Sequence, residues 1–211
     1  MFIGHFAVGI AAKKLQPSIS LGTLFLSAQF LDFLWPTLLL LGFEHVVISP
    51  GISQATPLDF THYPISHSLL MVILWALLFG YGYYLLTKNR RGAALVAALV
   101  LSHWFLDLIV HIPDLPLYPG NSPKLGLGLW NSVTLTVLVE GAIFIAGILL
   151  YVSAKKNANQ KVTWKFWSLI VFLTIIHASN LLGPPPPSVT MIAWAGHLQW
   201  LIVLWGWWAD R

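Results

Sequence analysis

Cysteine is missing from this 211-residue chain, and with it go disulfides, thiolate metal ligands and cysteine nucleophiles. Any metal bound here must be held by nitrogen and oxygen. Charge is scarce as well: 9% of the residues are charged, against about 25% in soluble domains. With 57% hydrophobic residues, the chain reads as a polytopic membrane protein. Its net charge of +4 comes from basic residues scattered among short segments, so no continuous stripe speaks for nucleic acid. No GxSxG elbow, P-loop or GxGxxG occurs, and Ser66 and Ser68 beside His67 stand in no triad order, which disfavours serine catalysis. The opening stretch MFIGHFAVGIAAKKLQPS lacks a basic n-region and a small-residue cleavage site, and does not read as a cleaved signal peptide. There is also no internal duplication of the kind inverted-repeat transporters carry, so residues 1–211 read as one integral membrane domain.

What is present in quantity is apolar sequence in long runs. Six are long enough to cross a bilayer core of roughly 30 Å, which takes about 20 residues. They cover 21–43, 65–87, 92–111, 127–152, 164–182 and 189–208. Residues 1–15 are too short to span, end in Lys13 and Lys14, and read as an amphipathic or re-entrant helix. The expected fold is therefore an all-α membrane helix bundle. Trp35, Trp130, Trp164, Trp167, Trp205, Trp207 and Trp208 fall near the ends of these runs, as interfacial anchors do. Of the eleven Lys and Arg, ten, Arg211 among them, fall on one side of the bundle and only Lys124 on the other. The positive-inside rule then predicts that both termini are cytoplasmic. It also places the 44–64 segment, the PDLPLYPGNSPK loop and the GPPPPS turn outside.

The chemistry lies inside the apolar runs. His103, Asp107 and His111 are spaced i, i+4, i+8, which stacks them on one helical face. An isolated charge at that depth costs about 3 kcal/mol or more, so the carboxylate must be paired, hydrated or metal-bound. His62 and His67 open the preceding run in HYPISHS, and Asp32 lies within the first. Spans two and three are joined by a short basic connection, which makes them antiparallel neighbours and brings the two His clusters to similar depth. His67, His103, Asp107 and Asp32 supply enough donors for a divalent metal, zinc first, and Asp107 is a candidate bridge between two ions. His5, His62 and His111 are further candidate ligands. Glu140, a lone acid in the fourth run, is the candidate proton carrier, or else an acceptor orienting a ligand imidazole or a helix-to-helix hydrogen bond. His177, Asn180, His197 and Gln199 read as packing or interfacial polar groups, and His45, Asp59 and Asp114 as solvated loop residues. Pro64 suits the first turn of a helix whose free donors Ser66 or Ser68 would help satisfy.

In these residues the chain resembles the bacterial membrane-bound metal-dependent hydrolases, a family of inner-membrane-associated proteins. That family shows an N-terminal His followed by small residues, an acidic signature in the first span, HRGxTHS, and HxxxD. The counterparts here are His5 in GHFAVG, Asp32 in QFLDFLWP, His62 and His67 in HYPISHS, and His103 with Asp107 in HWFLD. The match runs over residues 1–111, with HYP in place of HRG and a single acid where the family has a cluster. The His, Asp, His, HxxxD order is also similar to that of zinc-dependent phospholipases C. The resemblance implies a bacterial inner membrane location and hydrolysis of a lipid-type ester or phosphoester, with membrane lipids as surroundings and substrate source. A cation- or proton-coupled transporter, or a structural protein in which polar groups join helices, remains an alternative.

Overall fold

The computed structural model describes residues 1–210; Arg211, counted above with the basic side, lies outside the described residues. The architecture is the all-α membrane bundle that the composition calls for. Its elements are α1 (Ile3–Ala12), α2 (Leu21–Ala28), α3 (Phe30–Leu40), β1 (His45–Ile48), β2 (Leu58–His62), α4 (Pro64–His67), α5 (Leu69–Thr87) and α6 (Arg90–Val110). They are followed by β3 (Leu115–Pro116), β4 (Lys124–Leu125), α7 (Val133–Asn157), α8 (Trp164–Leu182), α9 (Val189–His197) and α10 (Gln199–Ala209). Helices α5, α6, α7, α8 and the continuous stretch Val189–Ala209 are long and apolar enough to cross a membrane. Their outward faces are unusually apolar for a protein surface: Leu77, Leu86, Leu138, Leu149, Val171 and Leu182 are each more than half exposed. Such faces fit hydrocarbon, where every backbone group is already bonded within its own helix.

The first apolar run departs from a simple span. Helices α2 and α3 meet at Gln29 with a bend of 55°, so 21–43 is a broken span or a re-entrant pair. Pro36, inside α3, has no N–H for the carbonyl of Asp32 and loosens the ladder just past the break. The break frees carbonyls at the end of α2, and that of Ala28 accepts from His103 Nδ1 at 2.8 Å. Helix α1 is inserted into the bundle. It does not lie amphipathically at a surface: Ile3, His5, Phe6, Ala7, Gly9 and Ile10 are all buried, and α1 packs against α2, α6 and α7. Small residues allow this, since a Cβ on Gly147 of α7 would come within 2.5 Å of the Ala7 carbonyl oxygen. Around α1 gather Phe6, Ile10, Phe25, Tyr151, Phe166 and Leu173, a core that needs no surface stripe.

Between α3 and α5 the chain forms an antiparallel hairpin, β1 against β2, with His45 opposite His62. Gly42, at φ +74°, supplies the left-handed turn that ends α3 and delivers Glu44 beneath α4. Pro64 does open α4, but neither serine caps it, because Ser68 Oγ donates to the Pro64 carbonyl at 2.6 Å and Ser66 is engaged elsewhere. Lys88 in the left-handed region and Asn89, whose side chain accepts from Gly92 N at 2.9 Å, turn α5 directly into α6. The two helices pack closely where Gly80 faces Ala93 and Ala97. An open groove of about 410 Å³ beside Gly80, lined by Leu77, Tyr81 and Arg90, takes in none of the clustered His or Asp side chains.

Candidate metal centre

Four elements bring five side chains to one point. Asp32 enters from the first turn of α3, His67 from the end of α4, His103 and Asp107 from α6, and His5 from α1. Ligand atoms of Asp32, His67 and His103 lie within 4.8 Å of one another, as do those of His5, His103 and Asp107. His103 belongs to both sets. Its Nε2 is 3.1 Å from Asp107 Oδ2 and 3.6 Å from Asp32 Oδ1. His67 Nε2 is 3.7 Å from Asp107 Oδ2 and 3.6 Å from Asp32 Oδ1. Asp107 turns its other oxygen the opposite way, with Oδ1 at 3.0 Å from His5 Nε2 and 2.5 Å from the Met1 amine. The His5 and His103 rings stack at 3.5 Å between centroids with 7° between planes. Four of these five side chains are buried, and Asp32, at 26% side-chain exposure, is the member that opens outward.

Hydrogen bonds on the far side of the His103 and His67 rings decide what faces inward, whereas His5 Nδ1 is buried without a partner. A carbonyl oxygen can only accept, so the bond to Ala28 requires the proton of His103 on Nδ1. Nε2 of His103, buried and without a hydrogen-bond partner, is then a lone pair directed at two carboxylates, unless it too carries a proton. His67 Nδ1 likewise lies 2.6 Å from Ser66 Oγ, whose own proton goes to Glu44 Oε2 at 2.6 Å. Where carboxylates and imidazole lone pairs face one another they repel unless a cation or protons join them, and the Met1 ammonium already offsets part of the charge on Asp107. Imidazole and carboxylate donors in that number match the zinc preference for nitrogen and oxygen ligands when thiolates are absent.

The structure does not bring every candidate to this point. His62 is exposed on β2, where it stands across the hairpin from His45 at 5.9 Å between ring centroids. The proximity of His62 to His67 in sequence is undone by the tight turn at Tyr63 and Pro64, which sends the two in different directions. His111 caps the end of α6, two turns from His103, and its Nδ1 pairs with Asp114 Oδ1 at 2.8 Å rather than with the cluster. Tyr63 donates to the same Asp114 oxygen at 2.7 Å, and Phe60 and Trp130 close over the His111 ring. Asp114, expected to be solvated, is therefore buried and paired. Burial first, and the Asp114 carboxylate next, push the Tyr63 hydroxyl well above its ordinary pKa, so it stays a donor.

Glu140 is buried on α7 and sits at the start of α1, with Oε2 3.4 Å from Gly4 N. A carboxylate there suits the unpaired N–H groups and the positive end of the helix dipole. It anchors the helix that carries His5 and takes no place among the converging ligand atoms. Sequence reasoning passed over Glu44 altogether. It is 1% exposed, accepts from the backbone N–H groups of Ile65 and Ser66 at 2.8 Å each, and touches the Ser66 hydroxyl. Its position in an apparently solvated loop carried no signal.

A scan against known families places residues 1–182 within the model for the YdjM inner membrane protein. The chain belongs to the YdjM inner membrane protein family. That match takes in all five clustered residues, the α7 acid and most of the apolar helices, and it agrees with a multi-pass protein of the bacterial inner membrane. No curated protein and no solved structure matches the chain.

Proposed function

We propose that this member of the YdjM family is a metal-dependent hydrolase embedded in the membrane, which cleaves a lipid-type ester or phosphoester from the extracytoplasmic side. The observation that carries the reading is the convergence of Asp32 Oδ1, His67 Nε2, His103 Nε2 and Asp107 Oδ2, with the Nδ1 atoms of both imidazoles engaged away from the site. These four residues would hold a divalent ion, zinc by donor chemistry, with His5 on the other oxygen of Asp107. When bound, such an ion lowers the pKa of water toward about 7 and polarises an ester or phosphoryl oxygen. The chain's own groups do the rest. Asp107 keeps its two oxygens toward two sets of partners and fixes the spacing between α1 and α6. Asp32, half-buried at the mouth of the site, would hold the ion through Oδ1 and take the proton on its other carboxylate oxygen as the water oxygen bonds to the substrate. It returns that proton to the leaving oxygen as the ester bond breaks. Leu31 and Trp104, chain neighbours of Asp32 and His103, are buried in one apolar cluster with Val100. With both termini cytoplasmic, α6 runs outward toward His111, so a lipid would approach from the outer leaflet.

The test compares wild type with His67→Gln, which keeps a hydrogen-bonding side chain but removes a strong metal ligand. Purified wild type should carry zinc or a similar ion and release a hydrolytic product from an outer-leaflet lipid panel in a chelator-sensitive way. His67→Gln should insert normally and lose that turnover by about 100-fold or more, since loss of an outer partner alone costs about 10–100-fold. Metal-free wild type with product profiles indistinguishable from the variant would refute the hydrolase and leave protonated imidazoles joining the helices. Gradient-driven uptake into vesicles without product would point instead to transport.

A further inference from the structure

Glu44 lies in the loop just past the first apolar run, yet it is buried against α4 and addresses His67 through one intermediate atom. Its two carboxylate oxygens have separate tasks. Oε1 accepts from the backbone N–H groups of Ile65 and Ser66, at 2.8 Å each, and Oε2 accepts the Ser66 hydroxyl proton at 2.6 Å. The Ser66 oxygen, its only proton committed to Glu44, faces His67 Nδ1 at 2.6 Å and can only accept there. All three side chains are buried. We propose that Glu44 and Ser66 are positioning residues that hold His67 as the Nδ1–H tautomer, with the Nε2 lone pair aimed between Asp32 and Asp107. The inference rests on the metal reading for its consequence but not for its geometry.

The direction of each bond makes the Glu44→Gln variant informative. Two backbone N–H donors oblige the amide oxygen to occupy the Oε1 position, so the amide NH₂ faces Ser66. A donor there reverses the relay: Ser66 accepts from the amide and gives its proton to His67 Nδ1, which must then be the unprotonated nitrogen. His67 becomes the Nε2–H tautomer, and its site-facing lone pair is gone. Ser66→Ala removes the relay without reversing it and leaves His67 free to adopt either tautomer. Outer partners of this kind are worth about 10–100-fold in metal affinity.

The experiment uses the full-length protein, labelled with ¹⁵N-histidine and metal-free, with the His67 signals identified by their loss in His67→Gln. Wild type should show a protonated Nδ1 at His67 and Glu44→Gln a protonated Nε2. Zinc affinity measured on the same samples should fall about 10–100-fold in Glu44→Gln and by less in Ser66→Ala. The thermal unfolding of metal-free Glu44→Gln checks that α4 remains in place. The same tautomer in wild type and Glu44→Gln overturns the proposal whether or not zinc binds. Zinc binding lost in His67→Gln but unchanged in Glu44→Gln overturns it while leaving the metal site intact. Wild type that binds no zinc removes the metal reading alone, and the nitrogen shifts still decide the tautomer.

Discussion

Two glycines on one helix should respond to the same substitution with opposite signs. Gly147 and Gly141 both lie within α7, but an added Cβ at Gly147 would meet the Ala7 oxygen at 2.5 Å and the Ala7 carbonyl carbon at 3.1 Å, whereas at Gly141 it would meet nothing within 4 Å. The obstacle at Gly147 is the backbone of α1, which cannot swing aside as a side chain can. Carbon–oxygen contacts settle near 3.3–3.6 Å, so α1 must retreat by roughly 1 Å. Overpacking of this kind costs about 1–3 kcal/mol, offset by about 0.5–1 kcal/mol that alanine gains over glycine within a helix. Gly147→Ala should therefore lose up to about 2.5 kcal/mol, while Gly141→Ala should gain about 0.5–1 kcal/mol. Reversible unfolding in mixed detergent micelles, followed by circular dichroism, measures both. Zinc titration supplies a second readout, because His5 rides on the displaced helix half a turn from Ala7. Affinity should fall several-fold in Gly147→Ala and stay unchanged in Gly141→Ala. Shifts of the same sign, within about 0.5 kcal/mol of each other, would show that α1 does not press against α7 as described.

Asp107→Ala should lose bound metal, whereas Asp114→Ala should keep it and lose about 1–3 kcal/mol of stability, because the buried Tyr63 and His111 are left without their shared acceptor; equal metal content in the two variants would move the site away from Asp107. Asp210→Ala should be more damaging, by about 3 kcal/mol or more in unfolding free energy, since it leaves the buried Lys13 ammonium with the Ile19 carbonyl but no counter-charge and also releases Lys155 and the N–H of Leu21; a neutral outcome would mean that Lys13 finds water. A cytoplasm-active reporter fused near Asn89 and an export-active reporter fused near Asn121 should both be active, as the split of basic residues predicts; the reverse pattern would invert the proposed orientation.

Sequence alone determined the fold class of this protein and the donor types open to its candidate site. Continuous apolar runs of about 20 residues cross lipid as helices, which bond their backbone groups internally, and the absence of cysteine leaves only nitrogen and oxygen donors. His103 and Asp107 could be placed on one face because helical periodicity is local. Tertiary structure alone decided which candidates meet. His62 and His67 are near in sequence but diverge at a turn, and His111 continues the helical spacing yet is claimed by Asp114 and Tyr63. His5 reaches Asp107 across 102 positions because small residues let α1 sink into the bundle. Glu44 reaches His67 through a serine because a left-handed glycine turns the chain back beneath α4. Such meetings depend on packing and hydrogen-bond direction between distant segments, and neither has a period that can be read along a chain.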